Sequence, residues 1–474
     1  MRQKTPAAPP PGPQPPAEPF APYAPSEAEP WDARRIGHLL RRAAFGGNPE
    51  RVKLCKEKGP AGAVEWLFAY DPKSDVGGLN AFLTNAEALY DIRQSPVYVA
   101  QWWFHRMVHT PAPLQERLAL MWHDHFATSA AKVGVPQWMH DQIELFRTHG
   151  VGSFRDLLVA VGRQPAMLRW LDGHGSHKTK PNENYAREIL ELFTLGVGHY
   201  TEQDIQELAR CFSGWLITGG REGVFDKNRW DEGEKTVFGQ KGAFNDEQAV
   251  DVILANPQAP KYIAWRLLTT FVHPTPEQAH VDHYAARLVA HGWNVGNVLK
   301  EIFASRLFYS DWAYRSIVKC PVDLCVGSAI AIGGVPRAEF LRQMSAAMGQ
   351  SLLYPPDVSG WKGGEAWINA NTVMVRFRFG MELARQGFGE FAQGPLYQDL
   401  EKQDLKTSPK IVNYFGDLLL DGDVPAEARG RFLDYMNRDA KNQPAEFAFN
   451  PGFVQQKVRG LVQLITSMPQ YQLA

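Results

Sequence analysis

Four cysteines in 474 residues are too few, and wrongly spaced, to build a zinc or dithiol centre. Cys55, Cys211, Cys320 and Cys325 contain no Cys-x-x-Cys pair, and none has a histidine nearby at zinc-ligand spacing. Free, buried thiols in a reducing compartment are the simplest account. Net charge is also lacking: 50 Lys+Arg against 51 Asp+Glu leave -1. Without a basic excess there is no electrostatic footprint for nucleic acid. No run of about 18 apolar residues occurs, which excludes a membrane-spanning helix. The start lacks the apolar stretch of a secretory signal, so the chain as given reads as cytoplasmic, or as exported if its start site is misassigned. No GxGxxG, GxxxxGK[ST] or Gly-x-Ser-x-Gly pattern is present, and Gly239 and Gly242 are too isolated to cradle a phosphate.

What is present is an ordinary globular composition, 44% hydrophobic and 21% charged. The length exceeds the roughly 250–300 residues that one core usually serves, so two packed lobes are expected. Residues 1–30 hold eleven of the 34 prolines and few aliphatic side chains. Such a segment reads as a disordered or polyproline-like tail, a spacer or a ligand for a partner's groove. Fourteen tryptophans exceed the needs of a helical core. Most read as core fillers, although aromatic faces also line clefts for sugars.

From Trp31 onward helical spacing dominates, and the fold class is mainly α. Helices are expected at 34–44, 63–70, 97–110, 114–131 and 154–162, then from Pro181. Thr201-x-x-Asp204 is a capping box opening the next one. Between 217 and 244 glycines, charges and short apolar pieces predict a β-hairpin or long loop separating a helical lobe at 31–216 from another at 245–474. Further helices are expected at 246–255, 261–271, 276–291, 295–304, 322–332, 338–348, 370–386 and 454–466. Tyr354 to Trp367 reads as a loop.

The most informative segment is Pro181-Asn182-Glu183-Asn184-Tyr185-Ala186-Arg187-Glu188-Ile189-Leu190-Glu191-Leu192-Phe193-Thr194-Leu195-Gly196. On a helix at 100° per residue, Tyr185, Ala186, Ile189, Leu192 and Phe193 share one side. Glu183, Asn184, Arg187, Glu188, Glu191 and Thr194 share the other. Asn182 can cap the start, and Gly196 supplies the stop. The polar side is either a solvated face with Glu183, Arg187 and Glu191 paired at i, i+4, or a carboxylate-rich cleft wall in which Glu188 or Glu191 serves as acid, base or metal ligand.

A second candidate lies in Met121-Trp122-His123-Asp124-His125. His125 falls near the apolar face, His123 at its edge, and Asp124 points outward. Histidines two apart do not share a helical face, so this is not a zincin pair. A core histidine and a proton shuttle both remain open. His105 and His109 have i, i+4 spacing and could chelate a metal if they face one cavity. The Tyr354–Ala370 loop offers Asp357, Trp361, Glu365, Trp367 and Asn369 among Gly360, Gly363 and Gly364, either as a ligand-contacting element or as a self-packed Ω-loop.

The PNENYAREILELFTLG run and the GHYTEQDIQELARCFSGW stretch after it resemble the bacterial family catalogued as domain of unknown function 1800. HLLRRAAFGG at His38–Gly47, MWHDHFATS at Met121–Ser129, QPAMLRWLD at Gln164–Asp172, YPPDVSGWKGGEAWINA at Tyr354–Ala370 and the closing SMPQYQLA match in the same order. The resemblance spans about residues 31 to 474 and implies no established activity. It departs at two points. The family usually carries His-Asp before Gly-x-Lys, where this chain has Trp230-Asp231, and an amide where this chain has Asp124. If the missing histidine is essential to family chemistry, this member is inactive or altered.

Two functions remain. The first is an acid/base or metal-assisted enzyme, with His123, His125, Glu183, Glu188 and Glu191 catalytic. Asn182, Arg187, Trp361, Trp367 and Asn369 would then bind substrate. Genes of the family resembled often neighbour a sulfatase-like family, so hydrolysis of a saccharide or sulfated polymer is one expectation for such an enzyme. The second is a non-enzymatic scaffold or accessory protein for such a sulfatase-like partner. Cofactor and metal are undetermined by sequence.

Overall fold

The computed structural model describes residues 13–72, 91–333, 337–387, 395–439 and 441–474. Helices account for 60% of the chain, so it is mainly α, as the periodicity predicts. Among the described residues the paired strands form two short antiparallel hairpins. No helix among the described residues is long and apolar enough to cross a membrane.

Helices start where the sequence supplies an acceptor for free amides. Asp32, Asn48, Ser153, Asn245 and Asn294 cap the helices that follow them. The Thr201–Asp204 box forms reciprocally. Some expected boundaries move. The helix expected at 63–70 belongs to Pro49–Phe68, which is broken at Gly59 (φ 68°) ahead of Pro60. The one expected to reach 131 stops at His125, because Phe126 leaves helical angles and the Thr128 hydroxyl takes the Phe126 carbonyl. A helix at Pro136–His149, absent from the sequence reading, packs on Pro113–His125.

The 217–244 region holds most of both hairpins. Trp215–Leu216 pairs with Val224–Phe225, and Lys235–Val237 pairs with Gln240–Gly242. The second turns through Phe238 (φ 47°) and Gly239 (φ 77°), the doubly positive geometry of a two-residue hairpin loop. Asp204 accepts the Phe238 amide at 2.8 Å and ties the turn to the helix beneath.

Among the described residues, buried apolar side chains from Tyr23 to Tyr471 belong to one continuous cluster. The expected tail is packed at its end. The Leu307 and Arg306 amides donate to the Pro19 and Ala21 carbonyls, Tyr23 is buried, and Phe20 stacks on His283 at 3.7 Å. Residues 1–12 of that tail lie outside the described residues.

The His123–His125 helix is anchored by Glu116, which is fully buried. It accepts from Arg106 Nε (2.7 Å), Arg147 Nε (2.8 Å) and Trp103 Nε1 (3.0 Å). Burial would raise this carboxyl, but the Arg147 and Arg106 guanidiniums hold it below its ordinary value. One carboxylate thereby fixes three helices: 96–109, 113–125 and 136–149.

Candidate functional site

Helix Pro113–His125 is buried along nearly its whole length, and its last turn sends three polar side chains in three directions. His125 Nε2 lies 3.0 Å from the Phe193 carbonyl. A carbonyl only accepts, so Nε2 carries the proton. The rings of Trp122, Phe126, Phe154, Phe193 and Tyr262 surround it. Burial, with the Arg266 charge added, pushes His125 down to about 3. His123 is equally interior. Its Nε2 accepts the Leu353 amide at 3.2 Å, which places the proton on Nδ1, a sealed position with no hydrogen-bond partner among the described residues. Trp103 and Trp361 meet the ring edge-on at 5.4 and 5.5 Å, and burial pushes it to about 3. Both imidazoles are thus neutral near pH 7. Asp124, expected to point outward, is tied down instead: it accepts the Trp361 amide at 2.8 Å and pairs with Arg266.

The Pro181 segment is not a uniform α-helix. Asn182 starts it, accepting the Asn184 amide at 3.0 Å and donating to the Leu171 carbonyl at 2.7 Å. Glu183–Glu188 is α-helical; Ile189–Thr194 is a π-helix. The wider winding displaces the later side chains from the face expected at 100° per residue. Thr194, expected on the polar side, is buried and donates to the Ile189 carbonyl at 2.6 Å. The expected i, i+4 partners of Arg187 are replaced by Glu202, reached through two bonds of 2.9 and 2.8 Å. Glu183 is exposed. Glu191 accepts the Tyr200 hydroxyl at 2.6 Å. Glu188 is half-buried; burial and the negative charge of Glu191 raise its carboxyl, Arg187 opposes this, and Asp357 adds to it. Asp357 moves the other way, held down by the Ser359 hydroxyl (2.5 Å) and amide (2.8 Å).

In the Tyr354–Ala370 loop, Gly360 (φ 80°) lets the chain pass so close to Asp124 that a Cβ would lie 2.5 Å from its carbonyl and carboxylate oxygens. Trp361 and Trp367 are buried. Asn369 is exposed and caps helix Ala370–Gly387, accepting the Asn371 and Thr372 amides at 3.1 and 3.0 Å.

Three segments far apart in sequence therefore meet. The imidazole helix touches the π-helix through His125 and the glycine-rich loop through His123 and Asp124, while Glu188 feels Asp357 from that loop. Glu188 feels the negative charge of both Glu191 and Asp357. Glu183 and Asn369 stand on exposed surface, Arg187 is half-buried, and Asn182 sits in a hollow of about 20 Å³ with Tyr185 and Trp215. Tyr200, Tyr262 and Arg266 also belong to this centre and were not expected from sequence. Each lies on another segment, and no local pattern marks it.

A larger open groove, about 940 Å³, lies elsewhere, between the 136–149 and 154–163 helices and the first hairpin. Its cations are already matched: Arg221 to Asp141, Arg163 to Asp246 and Glu247, Arg155 to Asp251. Trp215 lines it beneath the Arg163 guanidinium, 4.9 Å away. His105 and His109 approach ring to ring at 4.6 Å. Among the described residues no group of three or more His, Cys, Asp or Glu is placed to hold a metal ion. All four cysteines are free. At the departure noted in sequence, the Trp230 ring faces Lys235 Nζ at 4.6 Å and Asp231 pairs with Arg210.

A family model described as protein of unknown function (DUF1800) matches residues 38–473, nearly the whole chain. No curated protein and no solved structure matches it.

Proposed function

We propose, for a chain that belongs to this family of unknown function, an acid/base enzyme in which Glu188 donates a proton and Asp357 acts as its ionised counterpart. What carries this reading is one contrast: two carboxylates from separate motif segments are pushed in opposite directions, Glu188 upward and Asp357 downward. Such a split marks an acid and a base. Glu188 would protonate a leaving oxygen while Asp357 activates water, the division of roles used to hydrolyse glycosidic bonds. Saccharides, sulfated or not, are the substrate class. Glu191, which accepts the Tyr200 hydroxyl, adds to the upward push on the Glu188 carboxyl. His123 and His125 brace the centre and transfer no proton. Glu183 and Asn369, on exposed positions, and the half-buried Arg187 beside Glu202 would face a polymer; Trp361, Trp367 and Asn182 support the walls. Turnover should be screened on panels of neutral and sulfated oligosaccharides. Glu188→Gln and Asp357→Asn should each abolish it with the fold intact, and the wild-type pH profile should be a bell. Unchanged rates in either variant would remove that residue.

A second reading, an accessory binding protein with a sulfatase-like partner or a saccharide ligand, draws on the open groove. Its arginines are already paired, so a ligand with both donors and acceptors fits better than one carrying a strong negative charge. A stable complex that survives Glu188→Gln and is lost in Arg221→Ala would favour it; a complex indifferent to Arg221 would count against the groove.

A further inference from the structure

The π-helix at Ile189–Thr194 has two unusual donors at its end. π-winding accounts for well under about 1% of residues in globular proteins and is mostly confined to single turns, because its bonding is poorer than that of the α-helix. Here it extends over six residues and ends with the Leu195 and Gly196 amides both on the Leu190 carbonyl, at 2.8 and 3.2 Å. The last-turn carbonyls have no amide partner farther along the helix. Two of them are taken by side chains from other helices: the Tyr262 hydroxyl donates to Leu192 at 2.8 Å, and His125 Nε2 donates to Phe193 at 3.0 Å.

An α-helical register is the competing state. There the Leu195 amide would move to the Glu191 carbonyl, and everything after the wide turn would rotate by about 100°, one residue's worth. The Leu192 and Phe193 carbonyls would turn away, leaving the His125 and Tyr262 donors unpaired in the interior, which is unfavourable. Glu191 would turn with them, away from Tyr200.

We infer that His125 and Tyr262 are positioning residues: their bonds to the Phe193 and Leu192 carbonyls hold Ile189–Thr194 in the wide register, and that register sets where Glu191 stands relative to Glu188. This explains why a histidine too buried to titrate near neutrality sits in the motif helix. Its ring reads the backbone of the neighbouring segment. The consequence for proton donation rests on the proposed role of Glu188; the register itself does not.

Both parts can be tested without a substrate. Hydrogen exchange of the peptide covering 189–196 reports the register, and the carboxyl ¹³C titration of Glu188, assigned with Glu188→Gln, reports its neighbour. In His125→Phe/Tyr262→Phe the peptide should exchange at least tenfold faster and the Glu188 midpoint should fall. His125→Gln, which keeps a donor near the Nε2 position, should stay within about twofold of wild type. Wild-type exchange and midpoint in the folded double variant would overturn the inference. If that variant does not fold, Tyr262→Phe alone decides, and exchange within twofold of wild type sinks the idea. A moved register with turnover unaffected by Glu188→Gln would retain the positioning role and remove the acid.

Discussion

Replacing both His123 and His125 with glutamine should flatten the acid side of the stability profile. Each imidazole is ordinarily protonated near 6.5 but is pushed to about 3 in the folded chain, chiefly by burial. Below pH 6.5 the unfolded chain takes up protons that the folded chain refuses, so stability falls with pH until about 3 and is unaffected above the unfolded value. At roughly 1.36 kcal/mol per unit of separation, a drop to pH 5 costs about 2 kcal/mol for each group and about 4 kcal/mol for the pair. Urea unfolding at pH 7.5 and pH 5.0 measures this. The wild type should lose about 4 kcal/mol more than the double variant over that interval. Other buried imidazoles, such as His38 and His105, titrate in both proteins and cancel in the comparison. A difference of about 2 kcal/mol would mean that one ring is protonated or hydrated in the folded state, and one within about 1 kcal/mol of zero would refute the interior placement of both.

Two other perturbations test the scaffold. Glu116→Gln strips the carboxylate from Arg106 and Arg147 and should cost about 3–5 kcal/mol. At roughly 2.1 cal/mol/K of unfolding entropy per residue, a chain of this length should lose about 3–5 °C in calorimetric Tm; a change under about 1 °C would contradict the buried ion cluster. Gly360→Ala forces a Cβ against Asp124 at a left-handed backbone position and should cost about 1–3 kcal/mol. Gly363→Ala, with open space and φ −76°, serves as the neutral control in the same thermal scan.

The helices were legible where caps and apolar period agreed, as at Thr201–Cys211, Val295–Ala304 and Phe154–Arg163. The sequence also pointed to the Pro181 segment, the imidazole helix and the glycine-rich loop, which do meet. Their side-chain roles were less readable. A 3.6-residue period cannot announce a π-turn whose stabilising donors, Tyr262 and His125, lie about seventy residues to either side, so Thr194 was placed on the wrong face. Arg187 had plausible partners at i±4, but Glu202 on the next helix offers a bidentate geometry that those positions do not. Asp124 looked solvent-facing by angle alone, because its two partners come from residues 266 and 361.

Leu353 carries the longest-range consequence. Its amide bonds the His123 ring and its carbonyl receives the Ala130 amide at 2.8 Å, from a backbone with φ 68°. Wall and lining of the motif centre thus come from opposite ends of the polypeptide. A fragment ending near residue 216 would expose orphaned amides and an open seam of tryptophan, and expressing it alone should yield aggregate rather than a miniature of the whole.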